Sequence, residues 1–283
     1  LNYAERGDRS PEFSPFVSTC PTMPLTRVDL EVATRAPTGR TAAYLSDGPE
    51  ALLIDPAARA DALDAAVADT QVNHVAVTHH HPDHVGAVAH YARETDATTW
   101  ARRGRAADFE AAAGVAPDRT FAEGTAIPAG DGVTVLDLPG HAPEHVGFET
   151  AAGVVSGDTA VAQGSVVVGA PEGDVRAYLT SLRRLHARDP PRLHPGHGPT
   201  ITDPRATCAR LLAHRLDRER RVRAAVAGGA STLDEILDAA YEKDLTGVRD
   251  LARATVAAHV EKLAAEGALR WDGERAVPTG DGD

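Results

Sequence analysis

The run Thr78-His79-His80-His81-Pro82-Asp83-His84 constrains this chain more than any other stretch, because His79, His81, Asp83 and His84 set three imidazoles and a carboxylate within six residues. Burying such groups together is costly unless a cation neutralises and coordinates them. The run follows Val75-Ala76-Val77, short enough to be a buried strand, and precedes Val85-Gly86-Ala87-Val88-Ala89, where a helical pattern begins. A cluster at a strand-to-helix turn lies where α/β folds place their sites, outside the carboxyl end of a strand.

Three further segments repeat that arrangement. His141 follows Val133-Thr134-Val135 in Leu138-Pro139-Gly140-His141, Asp158 follows Val154-Val155 in Ser156-Gly157-Asp158-Thr159, and His197 stands in Pro195-Gly196-His197-Gly198-Pro199. Each candidate ligand ends a short strand beside a glycine that lets the backbone turn tightly. Five histidines and two aspartates suit zinc better than magnesium or calcium, which prefer oxygen shells. Manganese and iron are the alternatives. Two such ions roughly 3.5–4 Å apart share a water whose pKa falls towards ~7, giving a hydroxide nucleophile at neutral pH. Cys20 and Cys208 lie far along the chain from every ligand motif, which argues against a cysteine enzyme.

The pattern resembles the metallo-beta-lactamase superfamily. The resemblance implies that His79, His81 and His141 hold one metal, that Asp83, His84 and His197 hold a second, and that Asp158 bridges them. It implies catalysis by a metal-bridging hydroxide held by Asp158, with Asp83 both a ligand and an orienter of the water. The implied fold is α/β, a four-layer αββα sandwich with the metals at one sheet edge.

Composition bounds the rest. The chain has 283 residues, a net charge of −12, and only Lys243 and Lys262 as lysines among 29 basic residues. This acidic, arginine-over-lysine surface resembles that of proteins from salt-loving archaea, although a high-GC genome also favours arginine. Two cysteines suggest a reducing, cytoplasmic setting. No apolar run approaches the roughly 18–20 residues of a membrane span, so no membrane partner is expected.

Along the chain, residues 1–22 read as a disordered leader, with Met23 as a plausible natural start. A metal-binding domain is expected over 23–203, with strands near 26–33, 41–46, 51–54, 73–78, 97–100, 133–138, 145–150 and 153–156. Helices are expected near 57–69, 84–94 and 174–188. A linking helix over 204–228 carries arginines at 205, 210, 215, 218, 220, 221 and 223. Ser231-Thr232-Leu233-Asp234-Glu235 then opens a helix with a capping box, a further helix spans about 248–266, and Asp272-Gly273 joins two short strands. Helix, helix and hairpin over 229–278 resemble a winged helix, with a tail at 279–283.

The pairing of the His197 loop with His214-Arg215 and Arg218-Glu219, Gln163-Gly164-Ser165-Val166-Val167 with Tyr178-Leu179, and that terminal module resemble the superfamily branch of the endoribonuclease lactamase-beta-like protein 2. Thr41-Ala42-Ala43-Tyr44-Leu45 and Val85-Gly86-Ala87 depart from the branch's usual pattern, which bears on the pocket.

Other residues have plainer readings. His80 should point from the metals into an exposed loop, and Asp55 should hydrogen-bond the metal loop. His145 either supports the site or packs at a strand end. His74, His90, His186, His194, His214 and His259 read as surface or packing residues, and Trp100 and Trp271 as core or wing anchors.

Two function classes remain. The first is a dinuclear metallohydrolase, acting on single-stranded RNA or on small esters, lactones and thioesters as in glyoxalase II-like relatives, with the arginines of 205–223 able to track an RNA backbone. The second is a winged-helix regulator. Residues 229–278 carry Lys243, Arg249, Arg253, Lys262, Arg270 and Arg275 against ten acidic residues, a net of −4. Duplex DNA is therefore a poor partner, and the module reads as a docking element for a homodimer or for the substrate mouth.

Overall fold

A computed structural model describes residues 25–279 except positions 47, 49, 131 and 243. The expected leader, the start at Met23, Cys20, Lys243 and the tail from 280 onward lie outside the described residues.

One sheet holds β1 (Leu25–Glu31), β2 (Arg40–Ser46), β3 (Ala51–Ile54), β4 (Val72–Ala76), β5 (Thr98–Arg102) and β6 (Arg119–Phe121) in that order. The pairs β1–β2 and β2–β3 are antiparallel, and β3 to β6 run parallel. The other sheet is built from β7 (Ala126–Ile127), β8 (Val133–Asp137), β9 (Val146–Thr150), β10 (Gly153–Gly157) and β11 (Leu193–Pro195), ordered from β11 through β10, β9 and β8 to β7. In it β10 and β11 are the parallel pair.

Alternation along the strands sorts side chains between layers. In β2, Ala42 and Tyr44 join Trp100, Phe121, Phe148 and Val155 in the core between the sheets. Ala43 and Leu45 face the other way and pack with Leu63 of α1 (Asp61–Ala68), Tyr91 of α3 (Val88–Thr95) and Phe109 of α4 (Ala106–Ala113). The second sheet's outer residues, such as Leu136 and Val154, lie under Tyr178 and Leu182 of α5 (Val175–Arg188), Leu211 of α6 (Pro204–Ala227) and Ala258 of α8 (Arg249–Ala265). The result is the expected helix–sheet–sheet–helix sandwich.

The helix expected near 84–94 is divided into α2 (Pro82–Val85) and α3. The Asp55–Ala57 loop crosses at the break: Ala87 N donates to Pro56 O at 2.9 Å, and a Cβ on Gly86 would lie 2.4 Å from Ala57 O. The sequence pattern does not reveal β6, β7 and β11, which are too short for periodicity to mark them, nor α4, whose one large apolar side chain is Phe109.

α6 begins with Asp203 accepting from Ala206 N at 2.9 Å. The Thr232–Glu235 capping box opens α7 (Leu233–Ala240) as expected. β12 (Leu269–Trp271) and β13 (Ala276–Pro278) form the expected hairpin. Val222 and Val226 of α6 pack with Ile236, Leu237, Val256, Val260, Leu269 and Ala276 in a separate apolar cluster.

Candidate metal centre

Every candidate ligand lies beyond the carboxyl end of a strand: His79 and His81 after β4, His141 after β8, Asp158 after β10 and His197 after β11, with Asp83 and His84 in α2. Parallel pairing of β10 with β11 sets Asp158 beside His197, with Nε2 and Oδ2 3.4 Å apart. Two glycines permit the crowding. A Cβ on Gly157, at φ +46°, would meet Thr78 Oγ1 at 2.6 Å and His145 Nε2 at 2.7 Å. One on Gly196 would meet Asp158 Oδ1 at 2.7 Å and His84 Cε1 at 2.7 Å.

The structure brings all seven residues together. Three groups could hold a metal ion: His79 with His81 and His141, His79 with His84 and Asp158, and Asp83 with His84 and His197. His81 Nδ1 lies 3.0 Å from both His79 Nε2 and His141 Nε2. Asp158 faces both ends of the cluster, with Oδ2 3.6 Å from His141 Nε2 and Oδ1 3.6 Å from His84 Nε2. Asp83 Oδ2 is 3.5 Å from His197 Nε2.

The outward ring nitrogens decide which nitrogen faces inward. His141 Nδ1 donates to Val167 O at 2.7 Å, His197 Nδ1 to Arg40 O at 2.8 Å, His84 Nδ1 to Asp55 Oδ2 at 3.0 Å and His81 Nε2 to Glu172 Oε2 at 3.0 Å. His79 Nδ1 lies 3.0 Å from Thr78 Oγ1, which itself donates to Asp55 Oδ2 at 2.8 Å. Each ring thus turns a bare nitrogen inward, the arrangement that orients imidazoles towards a metal. Two buried atoms there, His84 Nε2 and Asp158 Oδ1, have no hydrogen-bond partner. Facing lone pairs and orphaned buried acceptors are what a bound cation satisfies, so the residues fit a divalent metal.

The carboxylates draw positive charge to the cluster, which a metal ion would supply in place of a proton on His84. Burial drives His79 well below the usual histidine range, and neighbouring imidazoles add to it. Burial also opposes the charge on His84, but Asp55, Asp158 and Asp83 outweigh it and raise the group to about 9. Burial resists ionisation of Asp158, yet His197 beside it and the charges of His84 and His141 hold it far below the usual carboxylate range.

Supporting residues fall partly as expected. Asp55 is fully buried and accepts from Thr78 N at 2.6 Å as well as from His84. His145 supports the site, because its Nε2 accepts from Asp158 N at 2.9 Å. His80 differs from its expected place in an exposed loop. It is half-buried, its ring meets Phe109 edge-on at 5.7 Å, and its backbone N donates to Glu144 Oε1 at 3.0 Å. Glu144 and Glu172 escape sequence reasoning, since nothing local marks a loop glutamate as a partner for a distant motif. Ala42 N donates to Gly196 O at 2.8 Å, so the atypical 41–45 segment holds the backbone next to His197.

Three of the seven arginines of α6, Arg210, Arg215 and Arg218, are turned onto the protein itself, while Arg205, Arg220, Arg221 and Arg223 stay exposed. Arg210 donates to Gly164 O, Val161 O and Ala162 O at 2.6, 2.8 and 3.1 Å. Arg215 donates to Val166 O, and Arg218 lies 3.4 Å from the Tyr241 ring centroid. Arg205 pairs with Asp189, and Arg220 and Arg221 both pair with Asp217. Among the described residues, no helix is long and apolar enough to cross a membrane.

Residues 36–197 match the model of the metallo-beta-lactamase superfamily. A probable metallo-hydrolase of Bacillus subtilis, YqjP, is 32% identical over 55% of this chain and 52% of its own length. The chain thus spans about half the length of that relative. An atrochrysone carboxyl ACP thioesterase of Aspergillus fumigatus is 27% identical over 75% of this chain and 71% of its own. Among solved structures, TTHA1623 in a di-iron-bound form is 33% identical, with a TM-score of 0.53 over 65% of this chain and 98% of that one. A metallo-beta-lactamase family protein of Thermus thermophilus has the same fold at 22% identity, with a TM-score of 0.73 over 90% of this chain and 98% of that one. With more than half its length matched by the family's model and its ligand loops at the strand ends, this chain belongs to the metallo-beta-lactamase superfamily.

Proposed function

We propose that this chain is a dinuclear metal-dependent hydrolase whose substrate is a carboxylic thioester or ester. The observation that carries the reading is the position of Asp158, 3.6 Å from His141 Nε2 on one side and 3.4 Å from His197 Nε2 on the other. His79, His81 and His141 would hold one divalent ion, Asp83, His84 and His197 the other, and Asp158 both. Zinc suits this donor set, and the di-iron form of TTHA1623 makes iron the alternative. Two ions bound here supply a water of lowered pKa and Lewis-acid polarisation of the substrate's acyl oxygen.

The chain's own groups do the positioning. Asp83, half-buried, would accept a hydrogen bond from the attacking water and so orient it. Asp55, Glu172, Val167 O and Arg40 O hold the ligand imidazoles in one tautomer. No nucleophilic side chain is needed.

The thioester reading is supported by the thioesterase relative, whose match covers three-quarters of this chain. It is also supported by the internal use of Arg210, Arg215 and Arg218 and by the net charge of −12, both of which disfavour a phosphodiester backbone. The same proposal divides the chain into a metal-binding domain over 23–203, a linking helix over 204–228 and a winged-helix module over 229–278. The apolar cluster in which that module packs on Val222 and Val226, apart from the sandwich core, supports the division.

The test incubates metal-loaded enzyme with a glutathione thioester, an aryl ester and labelled single-stranded RNA, wild type beside His81→Ala. Thioester or ester turnover lost in the variant is expected. RNA cleavage lost in the variant, with thioester and ester left intact by the wild type, would overturn the substrate assignment.

A further inference from the structure

The segment from Val166 to Glu172 touches the metal centre on one side and the C-terminal helices on the other. Val167 O accepts from His141 Nδ1 at 2.7 Å, and Glu172 Oε2 accepts from His81 Nε2 at 3.0 Å. On the other side, Arg215 of α6 donates to Val166 O, and Ala170 N donates to Ala254 O of α8 at 3.0 Å. Arg215 is only 3% exposed, and its guanidinium lies 5.3 Å from the Tyr178 ring centroid. The Tyr178 hydroxyl donates to Thr159 O at 2.8 Å, one residue beyond Asp158. A buried guanidinium is costly unless its donors are used and its charge offset, and the two contacts of Arg215 lead to Val166, next to the carbonyl that holds His141, and to Tyr178, whose hydroxyl reaches the residue after Asp158.

The other half of the centre is held differently. His84 rests on Asp55, just after β3, and His197 on the carbonyl of Arg40 in β2. Support for His81 and His141 therefore comes through the 166–172 segment from the second sheet's helices, and support for His84 and His197 from the first sheet.

We propose that Arg215 is a positioning residue for one half of the centre, holding the 166–172 segment so that His141 and His81 keep their inward nitrogens aimed at a metal. The proposal rests on the dinuclear reading above. It gives the C-terminal helices a role in building the site, and it accounts for one of the two arginines buried on α6.

The test is a competition titration of the full chain with zinc and a chromophoric chelator, resolving two stepwise affinities, with circular dichroism as the check on folding. Loss of an outer contact to a metal-ligating histidine typically weakens binding about 10–100-fold. Arg215→Ala should weaken one ion about tenfold and leave the other unchanged, with Arg215→Lys in between and Arg221→Ala like wild type. Gly169→Ala is a second route should Arg215→Ala fail to fold, because its Cβ would come within 2.8 Å of Ala254 Cβ and push the same segment. In a His81→Ala background the effect of Arg215→Ala on the remaining ion should vanish. Two ions in wild type with unaltered or equally weakened affinities in folded variants would overturn this proposal alone. A wild type that binds no second ion would overturn the dinuclear reading and this proposal with it.

Discussion

Asp55 Oδ2 accepts from His84 Nδ1 at 3.0 Å, and both side chains are closed off from solvent. The same carboxylate accepts from Thr78 N and Thr78 Oγ1, so one buried group fixes both the start of the histidine loop and a candidate ligand within it. Asp55 holds φ +52°, a conformation that non-glycine residues seldom adopt, at the turn that aims it there. Asp55→Asn keeps the shape but loses the charge, and affinity at the Asp83/His84/His197 half should drop roughly 10–100-fold. Asp55→Ala strands buried donors and should also cost about 3–5 kcal/mol of stability. Stepwise metal affinities and urea unfolding measure the two effects; wild-type values for both would remove Asp55 from its assigned role.

Asp158 separates a shared centre from two independent ones. Its carboxylate reaches towards both histidine sets, so Asp158→Ala should reduce bound metal from about two ions to one or fewer and abolish turnover. Elemental analysis after gel filtration gives the count. Two fully occupied ions with unchanged turnover would defeat the assignment.

His259 should make the protein acid-sensitive. It is completely buried on α8, both ring nitrogens lack hydrogen-bond partners, and burial together with the charges of Arg215, Arg218 and Lys262 pushes it down to about 3. The unfolded chain takes up this proton near pH 6.5, whereas the folded chain resists it until about pH 3. Stability from this group is thus present above pH 6.5 and lost as pH falls towards 3, at up to about 1.4 kcal/mol per pH unit. His259→Gln should flatten that part of the profile in denaturation experiments from pH 7 to 4. An equally steep loss in the variant would place the acid sensitivity elsewhere.

Salt gives a separate test of the acidic surface. A net charge of −12 repels itself in the compact state, and screening relieves that repulsion. Melting temperature should rise from low to molar sodium chloride. A flat or falling response would show that the exposed ion pairs, such as Arg35–Asp250 and Arg188–Glu149, matter more than the net charge.

The candidate ligands were legible from local signatures: a dense histidine run after an apolar strand for His79, His81, Asp83 and His84, and a strand, a glycine and then a metal-binding side chain for His141, Asp158 and His197. Seven positions could therefore be named from residue type and spacing with no knowledge of their distances. The capping box at Thr232–Glu235 and the Asp272-Gly273 hairpin were readable for the same reason, since their determinants lie within a few residues. What holds the ligands was not readable. Glu172 meets His81 across 91 positions and Glu144 meets His80 across 64. Such partners carry no local mark and become neighbours only when two sheets stack. The arginines of α6 show the limit most clearly. As a sequence they form a basic run suited to phosphates, and the fold turns Arg210, Arg215 and Arg218 onto carbonyls and a tyrosine ring. Sequence by itself determined which groups could bind metal, because that is a property of residue type and short-range geometry. Tertiary structure alone decided what orients those groups, because burial and long-range hydrogen bonding depend on which surfaces pack together.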